Sequence, residues 1–210
     1  MSDPRGPAPP RRPSAGFAGA LGPGGDSEGG RSRPPRKMAD LIMLVGFMGA
    51  GKSVVGRLLA RRLGRCFVET DDLIVAREGR SILEVFRESG EARFRALEAE
   101  AVEALRLKRG DVIATGGGLP CREGRMELLR SLGTVIWLKG DFTEMYERAT
   151  RAGERPMLAE RSPAEVVALY RGREPYYGQA HITVETRGLG VDQVVGRIVA
   201  ALREPHGARA

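Results

Sequence analysis

The run Leu41-Ile42-Met43-Leu44-Val45 is continuously apolar and closed by Gly46, the pattern of a strand buried on both faces of a parallel sheet. The period then changes. Apolar positions 54, 55, 58, 59 and 63 form a helical stripe from Lys52 to Leu63, and Cys66-Phe67-Val68 reads as a second short strand. Ser81-Ile82-Leu83-Glu84 is a capping box that opens a short helix, and Glu91 to Arg109 reads as a longer amphipathic one. Val112-Ile113-Ala114 is the third strand and runs into Gly116-Gly117-Gly118; a helix near 122–131 follows. Val135-Ile136-Trp137-Leu138 is the fourth strand, leading through a helix over 141–151 to a polar stretch at about 152–161. Ser162-Pro163-Ala164-Glu165 is an N-cap with Pro at the first helical position, for a helix to about 178. Ile182-Thr183-Val184 is the fifth strand and 191–203 the last helix. Five strands alternating with helices predict an α/β fold of three layers, a parallel sheet with helices on both faces.

Composition changes this picture at the N-terminus. Of 210 residues, 34 are Lys or Arg and 27 Asp or Glu, a formal charge of +7. Residues 1–38 hold seven of the bases and three of the acids, so +4 lies there and +3 in the rest. The same segment holds 8 of the 13 Pro and 8 of the 29 Gly, and its only large apolar residues besides Met are Phe17 and Leu21. It buries too little surface to offset its ordering entropy, so residues 1–38 are expected to be a disordered tail. Met38, where periodic sequence begins, is a second candidate start. Residues 39–205 then form one domain, with 206–210 a short tail.

No apolar run approaches the roughly 18–20 residues that cross a bilayer, and the N-terminal segment has no h-region. Cys66 and Cys121 are too few for a disulfide scaffold and suit a reducing cytoplasm; His181 and His206 cannot make a multi-histidine metal site. With 30 Arg and only 4 Lys, an individual Arg says little and each Lys says more.

One of those lysines lies in Gly46-Phe47-Met48-Gly49-Ala50-Gly51-Lys52-Ser53, which fits G-x-x-x-x-G-K-[ST] directly after a strand and before a helix. A chance glycine turn is the bland alternative, and the strand–turn–helix context argues against it. In a phosphate loop, the backbone N–H groups of Gly49, Ala50, Gly51, Lys52, Ser53 and Val54 face a polyphosphate at the positive end of a helix. Lys52 reaches the β- and γ-phosphates, and the Ser53 hydroxyl ligates Mg²⁺. A motor, a GTPase, a transporter subunit and a small-molecule kinase all use such a loop. No hydrophobic strand ends in a metal-binding Asp after the third strand, and no N/T-K-x-D motif appears, which favours a small-molecule kinase.

Such a kinase needs an acceptor for the proton of the attacking hydroxyl and cations for any substrate carboxylate. Asp71 after the second strand, Gly116–Gly118 after the third, and Arg95 lie where a doubly wound sheet places ligands. From Leu41 to the last helix the chain resembles the shikimate kinase family. The matching stretches are the phosphate loop, Phe67-Val68-Glu69-Thr70-Asp71, Gly90-Glu91-Ala92-Arg93-Phe94-Arg95-Ala96-Leu97-Glu98, Gly116-Gly117-Gly118, Arg155-Pro156-Met157-Leu158, and Tyr170-Arg171-Gly172-Arg173-Glu174-Pro175-Tyr176-Tyr177.

The resemblance implies a P-loop kinase fold with a mobile lid at about 152–161 and transfer from ATP to the 3-hydroxyl of shikimate, a step towards chorismate and the aromatic amino acids. It also implies roles. Asp71 would hold shikimate hydroxyls and take or orient the reacting proton; its bland alternative is a first-turn helix acid. Arg95 and Arg173 would clamp the substrate carboxylate, with Gly117 and Gly118 offering backbone N–H groups. Arg155 would close over the phosphates as a cis arginine, and Arg148 would lie against adenine. Two positions depart from the family pattern: Glu69 stands where an Asp supports Mg²⁺ through water, and Val54 where a Thr often follows the P-loop Ser. A gluconate kinase is the nearest rival, through Trp137-Leu138-Lys139-Gly140-Asp141-Phe142. A nucleic-acid-binding tail is the rival from another class, weakened by its single aromatic, Phe17. The expectation is a cytoplasmic, monomeric kinase using ATP, Mg²⁺ and shikimate, with no nucleic-acid or membrane partner.

Overall fold

A computed structural model describes residues 40–151 and 161–204. Its elements run β1 (Leu41–Val45), α1 (Lys52–Leu63), β2 (Phe67–Glu69), α2 (Thr70–Glu78), α3 (Ile82–Leu105), β3 (Val112–Ala114), α4 (Arg125–Leu132), β4 (Gly133–Lys139), α5 (Phe142–Arg151), α6 (Pro163–Tyr177), β5 (Ile182–Glu185) and α7 (Val191–Arg203). The five strands form one parallel sheet in the order β2-β3-β1-β4-β5, with Met43 paired to Ile113 on one side and Val135 on the other. All five residues of β1 are buried, which explains their unbroken apolar run: a central strand covered by helices has no polar face. The expected three-layer α/β architecture is what the chain adopts.

Local signals account for most boundaries. Both predicted N-caps form, each as a full capping box: the Ser81 and Ser162 hydroxyls accept from the N–H groups of Glu84 and Glu165, whose carboxylates bond back. The predicted short and long helices meet at Gly90, where φ 73° and ψ 176° break the helical path inside α3. Four differences from the sequence reading stand out. The segment Thr70–Glu78 is helical; α3 ends at Leu105 rather than near 109; a 3₁₀ turn (Leu119–Cys121) precedes α4; and β2 lies one residue later than expected. The missed helix α2 begins without a side-chain cap and buries only Thr70 and Ile74, so its stripe is faint. The polar stretch expected as a lid, together with the 1–38 tail, lies outside the described residues apart from Arg161.

Apolar side chains gather in two clusters. The large one packs the sheet against α1, the end of α3 (Val102 and Leu105), α4, α5, α6 and α7 around Met43, Leu44, Leu59, Ile113, Leu129, Ile136, Tyr177 and Ile198. The small one, Ile74, Val85, Phe94, Leu97 and Ala101, joins α2 to α3, with the Phe86 and Phe94 rings 4.6 Å apart.

Candidate active site

The turn from β1 into α1 carries the glycine-rich loop. Gly49 and Gly51 take left-handed φ values of 76° and 85°, which β-carbon-bearing residues adopt only at a cost, and Gly51 caps α1. A β-carbon at Gly49 would run into the Met145 carbonyl of α5, so the loop also needs glycine for clearance. The Lys52 ammonium arches over the turn and donates to the carbonyls of Gly46 (2.9 Å) and Phe47 (3.0 Å). Ser53 and Val54 are exposed at the first turn, Val54 at 58%. Amides and dipole at this helix start make an anion site.

Beside that loop lies the glycine strip after β3. A β-carbon at Gly117 would sit 3.4 Å from the Gly46 carbonyl and 3.5 Å from the Met48 nitrogen, so the two loops touch. Positions around the strip bring the acceptor-side residues together. A β-carbon at Gly116 would be 2.9 Å from Asp71 Oδ1 and 3.4 Å from Glu98 Oε1. One at Gly118 would be 3.1 Å from an Arg173 nitrogen and 3.2 Å from one of Arg95. Asp71, Arg95, Gly117, Gly118 and Arg173, spread over a hundred residues of sequence, thus gather at one glycine strip beside the phosphate loop. Asp71 occupies the first turn of α2, the position of its bland alternative, and faces the strip as well.

Electrostatics hold this geometry. Arg95 donates to Glu98 (2.6 Å) and to Glu91 (3.0 and 2.7 Å), and Arg122 reaches the same Glu91 oxygen at 3.1 Å. Burial works against the Arg95 cation, but its bonds to Glu98 and Glu91 outweigh that and raise its pKa. Burial pushes the Glu98 carboxyl up; Arg95 opposes this and nearby Asp71 adds to it. Arg173 is only 8% exposed, and its guanidinium lies 5.8 Å from the Phe47 ring centroid, tying it to the phosphate loop.

The remaining predicted residues are more peripheral. Arg148 is exposed on α5, bonded to the Glu144 carbonyl (3.1 Å) and carboxylate (3.2 Å). Glu69 ends β2, with Oε1 buried and without a hydrogen-bond partner, and with Arg57 3.9 Å from Oε2. Arg155 lies outside the described residues. Sequence reasoning assigned no role to Thr70, Glu98 or Tyr177. The Thr70 hydroxyl accepts the Gly116 N–H at 2.9 Å, and the Tyr177 hydroxyl donates to the Gly117 carbonyl at 2.6 Å. Only Glu98 carried a readable signal, its place three residues after Arg95 on one helix.

A family model described as shikimate kinase matches residues 48–203. The shikimate kinase of Symbiobacterium thermophilum is 44% identical over 167 residues, covering 78% of this chain and 96% of that protein. The one from Persephonella marina is 41% identical over 162 residues, covering 77% and 98%. Among solved structures, shikimate kinase from Acinetobacter baumannii in complex with shikimate is similar with a TM-score of 0.75 at 33% identity, covering 79% of this chain and 94% of that one.

Proposed function

Because the chain belongs to the shikimate kinase family, we propose that it transfers the γ-phosphoryl group of ATP in line to the 3-hydroxyl of shikimate, in aromatic amino acid biosynthesis. One observation carries the reading to this chain's own residues: a carboxylate and two guanidinium groups converge on a glycine strip that touches the phosphate loop. A substrate with a hydroxyl to phosphorylate and a carboxylate to anchor needs that combination.

In this mechanism the α1 N-terminus and the loop from Gly49 to Val54 cradle the ATP phosphates, with Arg148 against adenine. Arg95 and Arg173 hold the shikimate carboxylate, assisted by the N–H groups of Gly117 and Gly118. Asp71 binds the reacting hydroxyl and takes or orients its proton. Lys52 and Arg155 stabilise charge on the transferred group.

Among the described residues no three His, Cys, Asp or Glu side chains converge as a metal cage. A hydroxyl at Ser53 and a buried, unbonded oxygen at Glu69 fit instead a Mg²⁺ that arrives with the nucleotide and keeps waters. Ser53 would hold it directly and Glu69 through water; when bound, it neutralises phosphate charge. No helix among the described residues is long and apolar enough to cross a membrane, and we assign the reaction to a monomer in the cytoplasm.

The test is an ADP-release assay with ATP-Mg²⁺ and either shikimate or gluconate. Turnover with shikimate alone is expected; turnover with gluconate and not shikimate refutes the reading.

A further inference from the structure

We propose that Tyr177 is a positioning residue for the acceptor substrate: its hydroxyl holds the Gly117 carbonyl and thereby aims the Gly118 N–H into the space between Arg95 and Arg173. The proposal rests on the shikimate reading above.

Three consecutive glycines have the widest backbone freedom available to a chain and no side chains with which to limit it. A strip that must present amides to an anion therefore has to be pinned from outside. Two buried hydroxyls do this. Thr70, fully buried, takes the Gly116 N–H at 2.9 Å, and Tyr177, also fully buried, donates to the Gly117 carbonyl at 2.6 Å. The Cys121 thiol points at the same carbonyl from 3.7 Å.

A peptide unit is planar and trans, so the Gly117 carbonyl and the Gly118 N–H point in opposite directions. Fixing one fixes the other. The position a Gly118 β-carbon would take has an Arg173 nitrogen at 3.1 Å and an Arg95 nitrogen at 3.2 Å, so this residue sits between the two cations assigned to the carboxylate. The tyrosine is well placed to act as a pin. It ends α6, its ring centroid lies 6.0 Å from that of Trp137, and burial pushes its phenol pKa up, so the hydroxyl stays protonated as a donor. The Arg173 guanidinium lies beside the same hydroxyl, which couples strip and cation through one group.

Steady-state kinetics and calorimetric shikimate binding on the full chain, wild type against Tyr177→Phe, test this. Phenylalanine keeps the ring and removes the hydroxyl. Loss of one neutral hydrogen bond corresponds to roughly a three- to tenfold effect. The shikimate KM and Kd are expected to rise by that factor, with the ATP KM within about twofold of wild type and Tm nearly unchanged. Unchanged shikimate KM and Kd, beside a wild type that turns shikimate over, overturns this proposal and leaves the functional reading intact. A lower Tm with both KM values rising together marks a merely structural tyrosine and overturns it too. A wild type that neither binds nor phosphorylates shikimate overturns the functional reading and this proposal with it.

Discussion

The Glu98 carboxyl invites a quantitative test because burial and pairing act on it in opposite directions. It is 5% exposed, bonded to Arg95 at 2.6 Å, near Asp71 and within the field of Arg122. Burial dominates, so its folded-state pKa lies above the ordinary 4.5. The sign then follows. Between 4.5 and the raised value the folded chain binds more protons than the unfolded chain, so stability falls as pH rises through that window. Above it, the full penalty of the buried charge is present. Each unit of elevation corresponds to about 1.4 kcal/mol. Glu98→Gln keeps the shape and an acceptor for Arg95 but cannot ionise. Near pH 4 it should match wild type closely; above 4.5 it should gain on wild type through that window and hold a constant lead beyond it. Urea unfolding of both proteins across that range gives the difference curve directly. Carboxylates with lowered values, Glu78, Glu84, Glu91 and Glu165, have the opposite slope, but they are common to both chains and cancel to first order. A difference curve that runs the other way, with the variant losing ground as pH rises, would show Arg95 outweighing burial and refute the reasoning.

Three further outcomes are expected. Asp71→Asn removes the proposed proton acceptor while leaving the phosphate loop untouched, so kcat should fall by about 10²-fold or more with ATP affinity by calorimetry unchanged. Arg173→Ala removes a buried cation facing the strip, and the shikimate KM should rise by roughly 10–100-fold while the ATP KM moves far less. Gly49→Ala forces a methyl into the Met145 carbonyl at a φ of 76°; overpacking and left-handed strain together cost about 2–5 kcal/mol, and thermal unfolding should show Tm lower by about 10 °C.

The strands and the phosphate loop were legible because each is written in contiguous residues. Leu41–Val45 is apolar at every position since β1 lies between β3 and β4 with both faces covered, and Gly46–Ser53 is a local turn whose function depends on its own spacing. Ser81 and Ser162 announced their helices because a capping box closes within four residues. The helix α2 was not legible: Thr70–Glu78 has no cap bond and only two buried side chains, and its stability comes from docking on α3 through Leu73 and Ile74. The pins on the glycine strip were hidden for a different reason. Tyr177 and Gly117 are sixty residues apart, and Thr70 and Gly116 forty-six; no periodicity relates them. Asp71, Arg95 and Arg173 were named through resemblance to a family, since in so arginine-rich a chain spacing alone does not separate a binding Arg from a surface one.

The two apolar clusters bear on how the halves of the site relate. The phosphate loop and the Tyr177 pin rest on the large cluster, which spans the whole sheet. Asp71, Arg95 and Glu98 lie on α2 and α3, whose shared core is five buried residues with Leu73, Ile82 and Phe86 packed against it. Burial of so few side chains gives a smaller local stability than the sheet has, and a unit of low local stability opens before the rest. Val102 and Leu105 at the end of α3 belong to the large cluster and Leu73 packs against both, so the small unit is anchored at its base, while Gly116 approaches Asp71 and Glu98 at its other end. Under the proposed function, a substrate carboxylate held by Arg95 on α3 and Arg173 on α6 adds a further tie between them. Ordering of the acceptor side is therefore coupled to occupancy of the site. It follows that the Arg95–Glu98 and Arg95–Glu91 bonds matter less as contributions to overall stability than as a means of holding the guanidinium ready on the less stable half.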